Sequence, residues 1–427
     1  MLSRFTLRVE QGSALLYDRA SRGYTRRSAA EAFLMVASRD VGLPEAKRLL
    51  GERMGAVEAS SAHAVLREVG ALKSRGAFGG RVVELQALAG AFGAPLVVHL
   101  GMTLACNFAC AHCYSSSGKR LPDELTLAEI EALIDQMHAA GICKLVLGGG
   151  EPFLRRELPA VIRYADARGI DCYVHTNASL LRPAVLEELS ACPPAGLQVS
   201  LEGSDASLND PVRGPGTFAK ALEGLKKLRA SYAPGFNLSV TVGPHNVHDA
   251  AAMVELAKRE EAHVLLLRPA YPAGIATGNA QLHCDRPTFI EAVKRAKVRA
   301  AELGVTVDAP DPVDAREPDF EGFGCVAARV VLGVTPNGSV TPCLNLPVEF
   351  ETGNVKKTPL LELWQRGRSF VSVRAQQPNA QCSSCKHYDT CRGGCRVRAL
   401  FAGNGLNGPD SWCHYEPKAT LPAARSA

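Results

Sequence analysis

Six short apolar segments, Leu96–Leu104, Lys144–Leu147, Asp171–His175, Leu197–Leu201, Asn237–Val242 and His263–Leu267, alternate with helix-patterned stretches through the middle of the chain. Segments of this kind read as buried strands, and helices between them impose parallel pairing through crossover connections. Six such units in series imply an α/β fold: a parallel sheet curled into a partial (β/α)6 barrel, with chemistry at the C-terminal ends of its strands. The second strand follows a helix that opens on a capping box, Thr126 with Glu129.

The loop after the first strand reads Cys106-Asn-Phe-Ala-Cys110-Ala-His-Cys113-Tyr114, at the place where a barrel puts its chemistry. Three thiolates at C-x3-C-x2-C spacing fit a [4Fe-4S] cluster whose fourth iron stays open, whereas an electron-carrying ferredoxin supplies four ligands. The second strand ends in Gly149-Gly150-Glu151-Pro152, the third in Thr176-Asn177 and the fourth in Ser200-Leu-Glu202-Gly203. Glycine is needed where the backbone itself must approach a ligand. Arg213, in Asn209-Asp-Pro-Val-Arg213-Gly, has the planar fork that pairs with a carboxylate, and Arg268 closes the sixth strand as a weaker candidate.

From about Val313 the chain turns to short loops and cysteines, with a hairpin expected from Val330–Val334 and Ser339–Cys343 around Asn337-Gly338. Cys325, Cys343, Cys382, Cys385, Cys391, Cys395 and Cys413 bring the cysteines in ligand-like spacings to ten of fourteen. No signal-peptide core opens the chain and no run approaches the roughly 18 apolar residues of a membrane span. The chain therefore reads as cytoplasmic, where thiols stay reduced and many cysteines mean metal rather than disulfides. Cys143 and Cys172, at the second and third strands, read as small buried hydrophobes, and Cys192, before Pro193-Pro194, is assigned no role. His112 and Tyr114 are expected to pack over a cluster, and no residue, His175 included, can be named as a general base.

The N-terminal part reads as a small α+β unit. Strands are expected at Thr6–Glu10, Ala14–Tyr17, either side of Gln11-Gly12, and Gly23–Arg26, then a helix capped by Ser28 and two more near Pro44–Met54 and Ser60–Lys73. This winged-helix-like arrangement resembles the precursor-peptide recognition element of ribosomal-peptide maturases, in which a leader adds a strand to the sheet edge. The expected organisation is a recognition domain over 1–78, a Gly-rich linker over 79–95, the barrel over 96–312, a cysteine-rich domain over 313–417 and a tail over 418–427.

The cysteine loop together with Gly149-Gly150-Glu151 resembles the radical S-adenosylmethionine (SAM) enzymes. That resemblance implies thiolate ligation by Cys106, Cys110 and Cys113, and SAM contacts from Gly149, Gly150, Glu151, Thr176, Asn177, Ser200, Glu202 and Arg213. Glu202 stands where the family usually has aspartate, a longer arm for a ribose contact. The seven later cysteines match the SPASM extension of these enzymes. By that resemblance Cys325, Cys343 and Cys395 hold one auxiliary [4Fe-4S] cluster and Cys382, Cys385, Cys391 and Cys413 another, three clusters in all. Two complete auxiliary clusters need eight thiolates, so the last ligand is Cys284, a carboxylate such as Asp319 or Glu321, or an open site.

The combination resembles mycofactocin- and PQQ-type peptide maturases and implies oxidative modification of a precursor peptide by a 5′-deoxyadenosyl radical, with an auxiliary cluster accepting an electron. A flavodoxin- or ferredoxin-like reductant follows from the same resemblance. A SPASM enzyme of the sulfatase-maturing or tetrapyrrole kind is the first alternative, and a non-catalytic Fe–S carrier the second, which a SAM pocket opposes. The net charge of +5 is carried by residues 1–95, with 14 Lys and Arg against 9 Asp and Glu. That excess suits an acidic peptide and is too small for nucleic acid.

Overall fold

The structure, a computed structural model, describes residues 3–10, 13–72, 77–309, 325–385 and 387–414. Asp319, Glu321, Lys73, the Gln11-Gly12 turn and the tail from 418 lie outside the described residues.

Three antiparallel strands open the chain: β1 (Phe5–Glu10), β2 (Ser13–Asp18) and β3 (Gly23–Arg27). Helices α1 (Ala29–Val41), α2 (Leu43–Met54) and α3 (Ala56–Glu68) follow, and Leu34, Met35, Leu50 and Leu66 bury against Leu7 and Leu16 of the sheet. Ser28 caps α1 by accepting the Glu31 amide. The segment expected to be a linker contains a further strand, β4 (Arg81–Leu85), parallel to β1, so the sheet order is β3-β2-β1-β4. Its glycines masked the short apolar run Val82-Val83.

The six central strands form as the spacing predicts: β5 (Val97–Thr103), β6 (Lys144–Gly149), β7 (Asp171–Thr176), β8 (Gly196–Leu201), β9 (Asn237–Val242) and β10 (Val264–Pro269), each parallel to the next. Their helices are α4 (Leu127–Ala139), α5 (Leu158–Asp166), α6 (Pro183–Ala191), α7 (Ala206–Arg213), α8 (Thr217–Ser231), α9 (Ala250–Arg259) and α10 (Arg286–Leu303). Both arms of the Thr126–Glu129 capping box are present on α4. Alternation along the strands sends Val98, Leu100, Leu145, Leu147 and Val174 into one core with the helices. His99, Tyr173, His175, Gln198 and Ser200, on the opposite faces, line a polar lumen.

Strand β11 (Thr306–Asp308) extends this sheet beyond β10. The expected C-terminal hairpin forms as β12 (Val331–Val334) and β13 (Val340–Thr341), but it belongs to the barrel's sheet, with β12 parallel to β5. Among the described residues the sheet thus runs β11-β10-β9-β8-β7-β6-β5-β12-β13. Short helices α11 (Leu360–Arg366), α12 (Arg368–Arg374), α13 (Ala380–Ser383), α14 (Tyr388–Cys391) and α15 (Arg396–Phe401) complete the cysteine-rich part.

The N-terminal sheet docks beneath the barrel. The Tyr24 hydroxyl donates to the Leu96 carbonyl (3.1 Å) and accepts the Cys143 amide (3.1 Å), while the Tyr17 hydroxyl bonds Asp171 and Arg19 reaches Asp166 (2.7 Å). Leu96, Cys143 and Asp171 all stand at the N-terminal ends of barrel strands, opposite the end that carries the cysteine loop.

Candidate active site

The loop from Cys106 to Gly118 is held at its base by backbone bonds: the Cys106 amide donates to the Gly118 carbonyl (3.0 Å) and the Gly118 amide to that of Leu104 (2.8 Å). Glu124, buried, braces the same base by accepting the Thr103 hydroxyl (2.9 Å) and the amides of Leu104 (2.8 Å) and Leu121 (3.1 Å). Sequence reasoning missed Glu124, whose only signal was a charge beside an apolar helix start. The Val212 carbonyl accepts the Ala111 amide (2.8 Å), which joins the end of α7 to the loop.

Gly149 and Gly150 pass directly against this loop. At Gly149 the backbone is left-handed (φ 101°) and a Cβ would lie 2.6 Å from the Thr103 carbonyl oxygen; at Gly150 it would lie 2.0 Å from that of Ala105. Only glycine fits there. The next residue, Glu151, is fully buried and accepts the Thr176 hydroxyl (2.8 Å) and the amides of Asn177 (2.8 Å) and Phe153 (3.1 Å). Burial pushes its carboxyl up to about 7, against the pull of those bonds. Thr176 and Asn177 therefore act first on Glu151, and Asn177 also reaches Asn107 in the cysteine loop (3.0 Å).

Glu202 shows why a longer side chain stands at the end of β8. Its Oε1 accepts Arg213 Nε (3.1 Å) and Nη2 (2.7 Å) and faces His112 Nε2 (2.9 Å), and its Oε2 accepts the Thr241 amide (2.8 Å). Burial would raise this carboxyl, yet His112 and Arg213 together hold it at about 2. The carboxylate is thus spent on the protein, tying the loop histidine to the arginine of α7. Ser200 lies on the lumen face of β8, beside Ser239. Arg268 pairs with Asp308 (2.9 Å) at the far side of the sheet.

Cys106, Cys110 and Cys113 are free, half-buried thiols within electrostatic reach of one another. Burial raises Cys106 and lifts Cys110 to about 11, so thiolate ligation has to come with the metal. The later cysteines fall into two groups. The Cys343 thiol feels Cys325 and Cys395, whereas Cys382 feels Cys413 and Cys385, and Cys391 feels Cys413 and Cys382. Burial pushes the Cys284 thiol up to about 12, with Asp285 raising it further and Arg398 opposing. Among the described residues no three side chains converge as tightly as a single metal ion requires. Thiols spread around a multi-iron cluster have no such need, and the three-cysteine loop with an adjacent carboxylate and arginine fits a cluster that chelates an amino-acid ligand.

Residues 100–257 match the radical SAM superfamily and residues 325–387 match SPASM, an iron-sulfur cluster-binding domain. The chain is 34% identical over 336 residues to the mycofactocin maturase MftC of Mycobacterium tuberculosis, covering 76% of this chain and 85% of that one. It is 29% identical over 350 residues to the AdoMet-dependent heme synthase of Methanosarcina barkeri, covering 76% and 97%. In fold it is similar to Streptococcus suis SuiB bound to its precursor peptide SuiA, with a TM-score of 0.75, 15% identity and coverage of 96% and 99%.

Proposed function

The chain belongs to the radical SAM enzymes that carry a SPASM iron-sulfur domain, and from that premise we propose that it oxidatively modifies a ribosomally made precursor peptide, by cross-linking or decarboxylation. SAM and iron-sulfur clusters are its cofactors. We count three [4Fe-4S] clusters: one on Cys106, Cys110 and Cys113, one on Cys325, Cys343 and Cys395, and one on Cys382, Cys385, Cys391 and Cys413. When bound, SAM and its cluster supply a 5′-deoxyadenosyl radical that abstracts hydrogen from the substrate. The chain's own residues would hold the cosubstrate: Gly149 and Gly150 by backbone, Glu151 at the amine, Arg213 at the carboxylate and Ser200 from the lumen. Thr176 and Asn177 orient Glu151, and Glu202 orients Arg213.

The observation that carries the peptide reading is the N-terminal sheet. Strand β4 occupies one edge, which leaves β3 as the other. An edge strand is a template for a further strand. Arg26, exposed on β3, suits an acidic leader, whereas Arg27 is paired with Glu31 (3.5 Å) and Arg22 donates to the Ala195 carbonyl. The likeness to SuiB extends over this part of the chain, since it covers 96% of it. We assign residues 1–78 with β4 to leader binding, 96–312 to SAM cleavage and 325–413 to the auxiliary clusters. No helix among the described residues is long and apolar enough to cross a membrane. We place the enzyme in the cytoplasm with a flavodoxin- or ferredoxin-like reductant.

The test uses anaerobically reconstituted enzyme and the peptide encoded by a short reading frame beside the gene. Arg26→Glu should weaken leader-dependent modification and leave SAM cleavage intact; equal modification by the variant would overturn the assignment. The heme synthase relative sustains a second reading, a tetrapyrrole substrate. Turnover of an iron porphyrin with no response to peptide would favour it.

A further inference from the structure

Beside the first auxiliary group of cysteines stands a buried cation, Arg329, that pairs with no carboxylate among the described residues. Immediately after Cys325 the chain makes a tight turn in which Ala328 is left-handed (φ 58°) and the amides of Arg329 (3.2 Å) and Val330 (2.9 Å) both donate to the Val326 carbonyl. Arg329 is only 6% exposed. Its guanidinium donates to the Gly90 carbonyl (2.6 Å) and, at longer range, to that of Val373 (3.4 Å). Room for it exists because residue 90 is glycine: a Cβ there would stand 3.0 Å from Nη1.

Among the described residues no carboxylate pairs with Arg329, and its charged neighbours are cations. Arg374 and Arg396 lie within electrostatic reach. Arg396 is fully buried and donates only to carbonyls, those of Gly393, Gly394, Leu406 and Gly408. Arg374 keeps a buried Nη2 with no partner, and burial together with Arg329 pulls its guanidinium down to about 10. Burial likewise pulls Arg329 below its ordinary value, and the strongest opposing influence on it is the Cys325 thiol. By contrast Arg398, next to Cys395, is neutralised by Asp410 in a two-pronged pair (2.7 and 2.6 Å).

Desolvating a charge without a counter-charge costs several kcal/mol, so a fold keeps such a cation where an anion completes it. Thiolate-ligated clusters are anionic, and nearby charge is one of the protein's means of setting their potential. We propose that Arg329 is the charge-compensating residue of the cluster held by Cys325, Cys343 and Cys395, positioned at Cys325 to raise that cluster's reduction potential. The proposal rests on the reading that these three cysteines hold an auxiliary cluster.

The experiment is performed on full-length protein carrying Cys106→Ala/Cys110→Ala/Cys113→Ala, so that only auxiliary clusters contribute, with iron content and midpoint potentials read by EPR-monitored titration. Arg329→Gln should retain iron and move one midpoint to more negative potential, leaving the other in place; Arg329→Lys should restore it. An unmoved midpoint at full iron content would overturn the proposal. If Arg329→Gln loses that cluster, Arg329→Lys decides: retention near the parent potential supports charge compensation, and loss in both assigns Arg329 to packing. Iron content unchanged by Cys325→Ala would sink the cluster assignment itself, and the proposal with it.

Discussion

Substituting Glu202 by glutamine keeps its shape and removes the charge on which Arg213 and His112 converge. The carboxyl moves from an ordinary value of 4.5 to about 2 in the folded chain, which corresponds to ~3 kcal/mol of stability in this fully buried group. Because the folded value is depressed, that stability is present above about pH 4.5 and is lost as pH falls toward 2. Independently, removing one member of a buried ion pair costs about 3–5 kcal/mol, because the other charge is left uncompensated. Glu202→Gln should therefore be destabilised by ~3 kcal/mol at neutral pH in urea unfolding followed by circular dichroism, and its acid limb below pH 4.5 should flatten. Function should suffer separately. Arg213 freed from two charge-assisted bonds loses about 1.5–3 kcal/mol of positioning, so the SAM concentration for half-maximal 5′-deoxyadenosine formation should rise by roughly 10- to 150-fold. Wild-type stability and wild-type SAM dependence in the variant would refute the view that Glu202 is spent on the protein.

Glu151, raised to about 7 by burial, accepts N–H bonds best when ionised, so nucleoside formation at low SAM should rise with pH through about 7 and become pH-independent in Glu151→Gln. The same raised value makes the SAM-free barrel lose stability as pH climbs from 4.5 through about 7, measurable as a falling melting temperature that the variant does not share. Gly150→Ala places a methyl 2.0 Å from the Ala105 oxygen. It should displace the cysteine loop and remove the EPR signal of the cluster proposed on Cys106, Cys110 and Cys113 while the signals of the proposed auxiliary clusters persist.

The barrel was legible because its strands are apolar and evenly spaced, and because the cysteine loop and Gly149-Gly150 fall at strand ends, where barrel chemistry sits. What escaped was pairing between distant segments. Strand β4 hides in a glycine-rich stretch because what makes Arg81–Leu85 a strand is β1, some seventy residues upstream. The C-terminal hairpin is legible as local structure around Asn337-Gly338, yet its attachment to β5 has no local signal. The site shows the same division. Thr176, Asn177 and Glu202 could be singled out by position, but that the first two serve Glu151 and the third serves Arg213 depends on which side chains the strands bring face to face. Burial, which pushes Glu151 up and lets Arg213 and His112 hold Glu202 down, is likewise a property of the assembled barrel.

That assembly also constrains the substrate. The N-terminal sheet touches Leu96, Cys143 and Ala195 through Tyr24 and Arg22, residues that precede β5, β6 and β8, while the proposed SAM contacts cluster where those strands end. Each of β6, β7 and β8 is six residues long, which at about 3.3 Å per residue puts ~20 Å of barrel between the two faces. On the proposed reading, a leader paired with β3 is held on the face opposite the chemistry. Even fully extended, a peptide gains at most about 3.6 Å per residue, and its path must pass around the sheet rather than through its core. The modified residue therefore has to lie beyond a spacer of at least ~6 residues, and an edge that grips the leader while leaving that spacer free serves as a tether that raises local concentration rather than as part of the reacting pocket.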